Sequence, residues 1–141
     1  MTLTLRQCRK RLAAIWLIGS GILFFTVILQ TIFKHYGDKS SDVWAWFLPL
    51  IMPTLSLIMG VLVWDALDRS VEIPTADKFM YRLAGILSSL YLLVLGFTFF
   101  LSPFSPWTPL ELMKQSSLYL GPFQGLVAGS LGVFFVSKSK N

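Results

Sequence analysis

The chain has 141 residues, 55% of them hydrophobic and only 13% charged, whereas about a quarter of the residues in a soluble domain are charged. That composition excludes an ordinary soluble globule and predicts an integral membrane protein. The net charge of +5 comes from basic residues beside apolar runs, not from a basic face interleaved with aromatics. It therefore predicts membrane orientation and no nucleic-acid partner.

The first apolar run covers residues 12–33. At 1.5 Å per residue it reaches about 33 Å, enough for a hydrocarbon core of about 30 Å. It is too long for the apolar region of a signal peptide, and no small-residue cleavage site follows, so an uncleaved anchor is expected. Ahead of it lies the lone cysteine, Cys8, among Arg6, Arg9, Lys10 and Arg11. A single cysteine excludes an intrachain disulfide and every multi-cysteine metal or redox motif. An ordinary cytosolic thiol is expected there in preference to an acylation site.

Residues 34–42 form a short polar connection with Gly37 as its turn residue, and Ser41 or Asp42 is the expected cap of the next helix. The second span, 43–64, contains Pro49 and Pro53. Each removes a backbone donor and crowds the carbonyl four residues back, at Ala45 and Pro49, so a kink is predicted there. In hydrocarbon the freed carbonyl needs another donor, from Thr54, Ser56 or a neighbouring helix. After the polar connection that follows, Pro74 ends any helical extension, and Thr75 or Asp77 can cap the third span, 79–101.

Pro103, Pro106 and Pro109 then interrupt helix until Thr108, Pro109, Leu110 and Glu111, which read as a capping box with proline at the first helical position. Leu110, Leu112 and Met113 alternate with Glu111, Lys114 and Gln115. A short amphipathic helix at the outer interface is expected, leading into a fourth span at 117–137. In that span Gly121, Gly125 and Gly129 recur every four residues, extended by Ala128 and Gly132. They share one helix face and predict close helix packing, either on the second span or on another protomer.

Orientation follows from the basic residues. Nine Lys and Arg fall on the side holding the N-terminus, the 65–82 connection and the C-terminus, against three on the other. Both termini are therefore expected in the cytoplasm, in a bacterial inner (plasma) membrane. Trp16 and Trp64 fall at the inner boundary and Trp44, Trp46 and Trp107 at the outer, as interfacial anchors do.

Few residues suggest chemistry. His35 is the sole histidine, which excludes haem held by two histidines, and a surface role is expected for it. Asp65, Asp68, Glu72 and Asp77 share one connection, but Arg69 and Lys78 intervene and the spacing is irregular for a metal site. Solvated loop charge is the expected role, with Asp65, Asp68 and Arg69 the best candidates for a cytoplasmic interaction. Apart from Arg82, counted with the inner connection, the spans hold no Asp, Glu, Lys, Arg or His, which argues against an ion-coupled pump. The strongest polar set inside them is Thr26, Gln30 and Gln124. It predicts either an interhelical amide pair between the two glutamines or a pore lining.

The sequence thus predicts an all-α protein of four transmembrane helices, with no catalytic residue, cofactor or metal. The expected partners are membrane lipid and either further copies of the chain or another membrane protein. The leading expectation is a non-enzymatic oligomer that forms a pore or alters permeability. An accessory or scaffolding subunit is the alternative, and a lipid-acting enzyme or carrier using Asp65 and Asp68 stands third.

Overall fold

A computed structural model of the chain describes residues 4–67, 75–101 and 104–135. Four α-helices make up the fold: α1 (Leu5–Ile32), α2 (Ser40–Leu67), α3 (Lys78–Leu101) and α4 (Pro109–Phe135). Three helical stretches, Leu5–Ile32, Gly37–Leu67 and Lys78–Leu101, are long and apolar enough to cross a membrane. α4 carries Gly121, Pro122, Gln124, Gly125 and Gly129 among its apolar residues. The expected fourth span also runs on to residues outside those described.

Local signals explain the helix boundaries. α1 starts two turns before the apolar run because Thr4 and Gln7 form a reciprocal capping box. Gly37, at φ +56°, makes the turn after it, and Lys34 also adopts a left-handed conformation, at φ +53°. A 3₁₀ turn over Gly37–Lys39 then feeds directly into α2, so Ser41 and Asp42 lie inside that helix instead of capping it. Asp77 caps α3 by accepting from the backbone N–H of Phe79 at 2.9 Å. Thr75 instead pairs with Thr4 in an isolated backbone bridge.

The Thr108 box is formed as expected: Thr108 N–H donates to Glu111 Oε2 at 3.0 Å, and Glu111 N–H to Thr108 Oγ1 at 3.4 Å. The helix it starts, however, continues without a break from Pro109 to Phe135. The expected separate amphipathic helix is therefore the first turns of α4. Nothing between Leu112 and Leu120 interrupts the backbone ladder, and the first interior proline, Pro122, is carried within the helix.

α1 and α4 each pack against both α2 and α3, and more weakly against one another. α1 and α3 run side by side in the same direction. Gly85 faces Leu12 and Gly96 faces Leu23, while a Cβ on Gly19 would stand 2.7 Å from Leu92 Cδ1. Small residues thus receive leucines in a regular register, as knobs enter holes. The interior is filled by Trp16, Phe47, Tyr91, Phe99 and Phe134, all fully or almost fully buried. Phe47 meets both Phe24 and Phe99 edge-on, at ring separations of 5.0 and 5.6 Å. Large apolar side chains such as Ile18, Phe25, Ile86 and Phe97 face outward, as expected where the surrounding medium is hydrocarbon.

Candidate functional site

Two polar side chains, from α3 and α4, meet beside the prolines of α2. Pro53 has no N–H, so the carbonyl of Pro49 loses its helical donor. Gln124 on α4 supplies one: its Nε2 donates to Pro49 O at 3.2 Å and to Leu50 O at 3.1 Å. From the opposite side, the buried Tyr91 hydroxyl of α3 donates to Leu50 O at 3.0 Å. α2 stays helical through both prolines; Gln124 replaces the donor that Pro53 cannot give Pro49 O, and Tyr91 adds a second tie to the next carbonyl.

This arrangement settles where the other polar candidates go. Gln30 does not pair with Gln124; its side-chain oxygen accepts from the Tyr36 hydroxyl just beyond the end of α1. Burial raises the Tyr36 pKa to about 12, so the hydroxyl keeps its proton and remains a donor. Thr26 turns its hydroxyl back onto the Ile22 carbonyl at 2.9 Å. Within one chain these three groups are occupied by local or interhelical bonds, and they do not form a continuous polar stripe.

At the end of the bundle where α1 begins, Arg9 ties three helices together. Its Nη1 lies 2.7 Å from Asp65 Oδ1 near the end of α2, and its Nε–H donates to the Phe134 carbonyl near the end of α4. A cation there meets both a carboxylate and the negative pole of a helix. Asp65 is thereby engaged structurally, while Asp68 and Arg69 lie outside the described residues. Among the described residues no three His, Cys, Asp or Glu side chains converge as a metal site. Cys8 is fully buried in the core. Its sulfur packs inside the bundle and is not the exposed cytosolic thiol expected.

Trp16 also departs from expectation: it is wholly buried against Tyr91, with ring centroids 5.8 Å apart, instead of lying in the interfacial belt. Trp44 and Trp46 donate their indole N–H groups to Thr31 and Ser117 of neighbouring helices, each at 3.1 Å. Trp64 and Trp107 remain exposed.

The glycine ladder faces outward. Met113, Leu120, Val127, Leu131 and Phe134 carry the buried side of α4. A Cβ built at Gly121, Gly125, Gly129 or Gly132 would meet nothing within 4 Å. α2 therefore does not occupy the glycine face, although α2 and α4 are neighbours. Sequence reasoning missed Pro122, which lies on this exposed face beside Gly121 and Gly125. It also missed the Arg9–Asp65 pair, for which the only sequence signal was a carboxylate directly after the second apolar run. No family model, no curated protein and no solved structure matches this chain.

Proposed function

We propose that the protein is a non-enzymatic, self-assembling membrane protein with four spans and both termini cytoplasmic, and that it alters permeability at contacts between protomers. The observation that carries this reading is the outward glycine face of α4. Glycine in a helix interior costs about 1 kcal/mol relative to alanine, and among the described residues nothing lies within 4 Å of a Cβ at any of the four glycines. A flat face of this kind suits the close approach of a helix from another copy. The aromatic interior and the engagement of Gln30 and Gln124 favour a route between protomers over one through a single bundle. The clustering of Arg6, Arg9, Lys10, Arg11, Lys78 and Arg82 at one end of the bundle supports the cytoplasmic assignment of that end.

Ion or dye efflux from liposomes tests the permeability reading. Wild-type chain is expected to release the contents and Gly125→Leu to retain them at equal incorporation. Tight vesicles with an assembled wild type would instead favour the accessory-subunit reading.

A further inference from the structure

A groove of about 450 Å³ runs along the outer surface of the α1/α3 contact, with Ile15 on one wall and α3 residues from Tyr81 to Leu93 on the other. We infer that this groove holds an acyl chain of an anionic phospholipid in the leaflet at the Arg9 end, with the Arg82 guanidinium on its phosphate. The inference rests on the membrane reading above but not on self-assembly.

Three features support that occupant. The first is length: Arg82 and Leu93, both in the groove, are separated by eleven residues of helix. That is about 16 Å, close to half of a hydrocarbon core of about 30 Å. The groove is therefore one leaflet deep.

The second is shape. Gly85 and Ser89, one turn apart, keep the wall of the trough low, whereas Ile86 and Leu93 stand outward beside it. Apart from Arg82, Ser89 and the Tyr81 hydroxyl its lining is apolar, which suits a hydrocarbon chain.

The third is charge. Arg82 lies at the groove's polar end, exposed, with no carboxylate at ion-pair distance among the described residues. Among the described residues the nearby acids are engaged elsewhere: Asp65 pairs with Arg9, and Asp77 caps α3. Arg6, Lys10, Arg11 and Lys78 make the same end strongly basic, which attracts anionic headgroups.

Native mass spectrometry of the full chain in mild detergent, titrated with phosphatidylglycerol or phosphatidylcholine of identical chains, tests the inference. Phosphatidylglycerol adducts are expected to survive in clear excess. Arg82→Gln should reduce that preference about fivefold, the effect of one basic residue near an anionic surface. Ser89→Leu should fill the trough and reduce retention of both lipids, whereas Ser89→Ala should not. Equal retention of the two lipids, or an unchanged preference in Arg82→Gln at unchanged melting temperature, would overturn it. A change of oligomeric mass in Ser89→Leu would also overturn it, by assigning the groove to a second copy. Failure of the membrane reading is separately visible, as release of the chain from cell membranes by alkaline carbonate without detergent.

Discussion

Gln124→Leu withdraws the amide that reaches both Pro49 O and Leu50 O. Leu50 O keeps the Tyr91 hydroxyl, but Pro49 O loses the donor standing in for the N–H that Pro53 lacks. Interhelical side-chain hydrogen bonds within membranes average about 0.6 kcal/mol and reach about 1.7. Losing two, with one carbonyl left unserved, should cost about 1–2 kcal/mol. The decisive comparison is the same substitution in a Pro53→Ala background, where residue 53 regains an N–H for Pro49 O. There Gln124→Leu should cost only about 0.5 kcal/mol, leaving a coupling of about 0.5–1.5 kcal/mol between positions 53 and 124. Equilibrium unfolding of all four variants in mixed micelles measures it, and the general effect of proline on the helix cancels around the cycle. An equal cost in both backgrounds would refute the view that Gln124 serves the gap left by the proline.

Further outcomes follow from the same packing and electrostatics. Gly19→Ala, which brings a methyl to 2.7 Å from Leu92 Cδ1, should lower stability by about 1 kcal/mol, because the leucine has to shift within the helix contact. Gly21→Ala, where a Cβ meets nothing within 4 Å, should be neutral or slightly stabilising in the same unfolding assay. Arg9→Gln leaves Asp65 partly buried without its partner and should cost about 1–2 kcal/mol after allowance for solvent screening. Adding Asp65→Asn should recover part of that loss. Hydrogen bonds from Thr108 hold the Glu111 carboxyl below its usual range. The stabilisation of the α4 start is thus complete above the ordinary glutamate pKa of about 4.3 and is lost as pH falls through the lower folded value. Melting curves over that acidic range should show the loss in the wild type and not in Glu111→Gln.

Apolar run lengths were enough to anticipate three helices long and apolar enough to cross a membrane, because hydrocarbon thickness sets a length that few soluble helices reach. Local punctuation was equally legible at Gly37, Asp77 and the Thr108–Glu111 box, where the signal and its structural consequence lie within four residues. What could not be read was which way a face points. A four-residue glycine period defines the narrow face of α4, but small residues serve an internal and an external contact equally well. Only the opposite face, with Leu120, Val127, Leu131 and Phe134, shows that the glycines point away from the bundle.

Polar pairing was similarly underdetermined. Gln30 and Gln124 share a chemical type and an expected depth. Their partners are nevertheless set by Tyr36 beyond the end of α1 and by the α2 carbonyls next to Pro53. The need for a donor at the proline was legible, but its source 75 residues away was not. Trp16 was assigned to the interface from its place in the chain, whereas its helix face turns it onto Tyr91. Asp65, expected as solvated charge, is drawn into a bond by Arg9, because α1 begins two turns before its apolar run.

The central claim, that the glycine face of α4 is an interface between copies of this chain, is tested most directly by native mass spectrometry. Wild type and Gly125→Leu are compared in mild detergent, with their melting temperatures measured alongside. Wild type is expected at an integer multiple of the 15.9 kDa chain and Gly125→Leu as the single chain. The melting temperature of the folded protomer should be preserved, because a Cβ at position 125 points away from the bundle and meets nothing within 4 Å among the described residues. The same multiple for both proteins, a monomeric wild type, or a wild-type mass that requires a different polypeptide would contradict it.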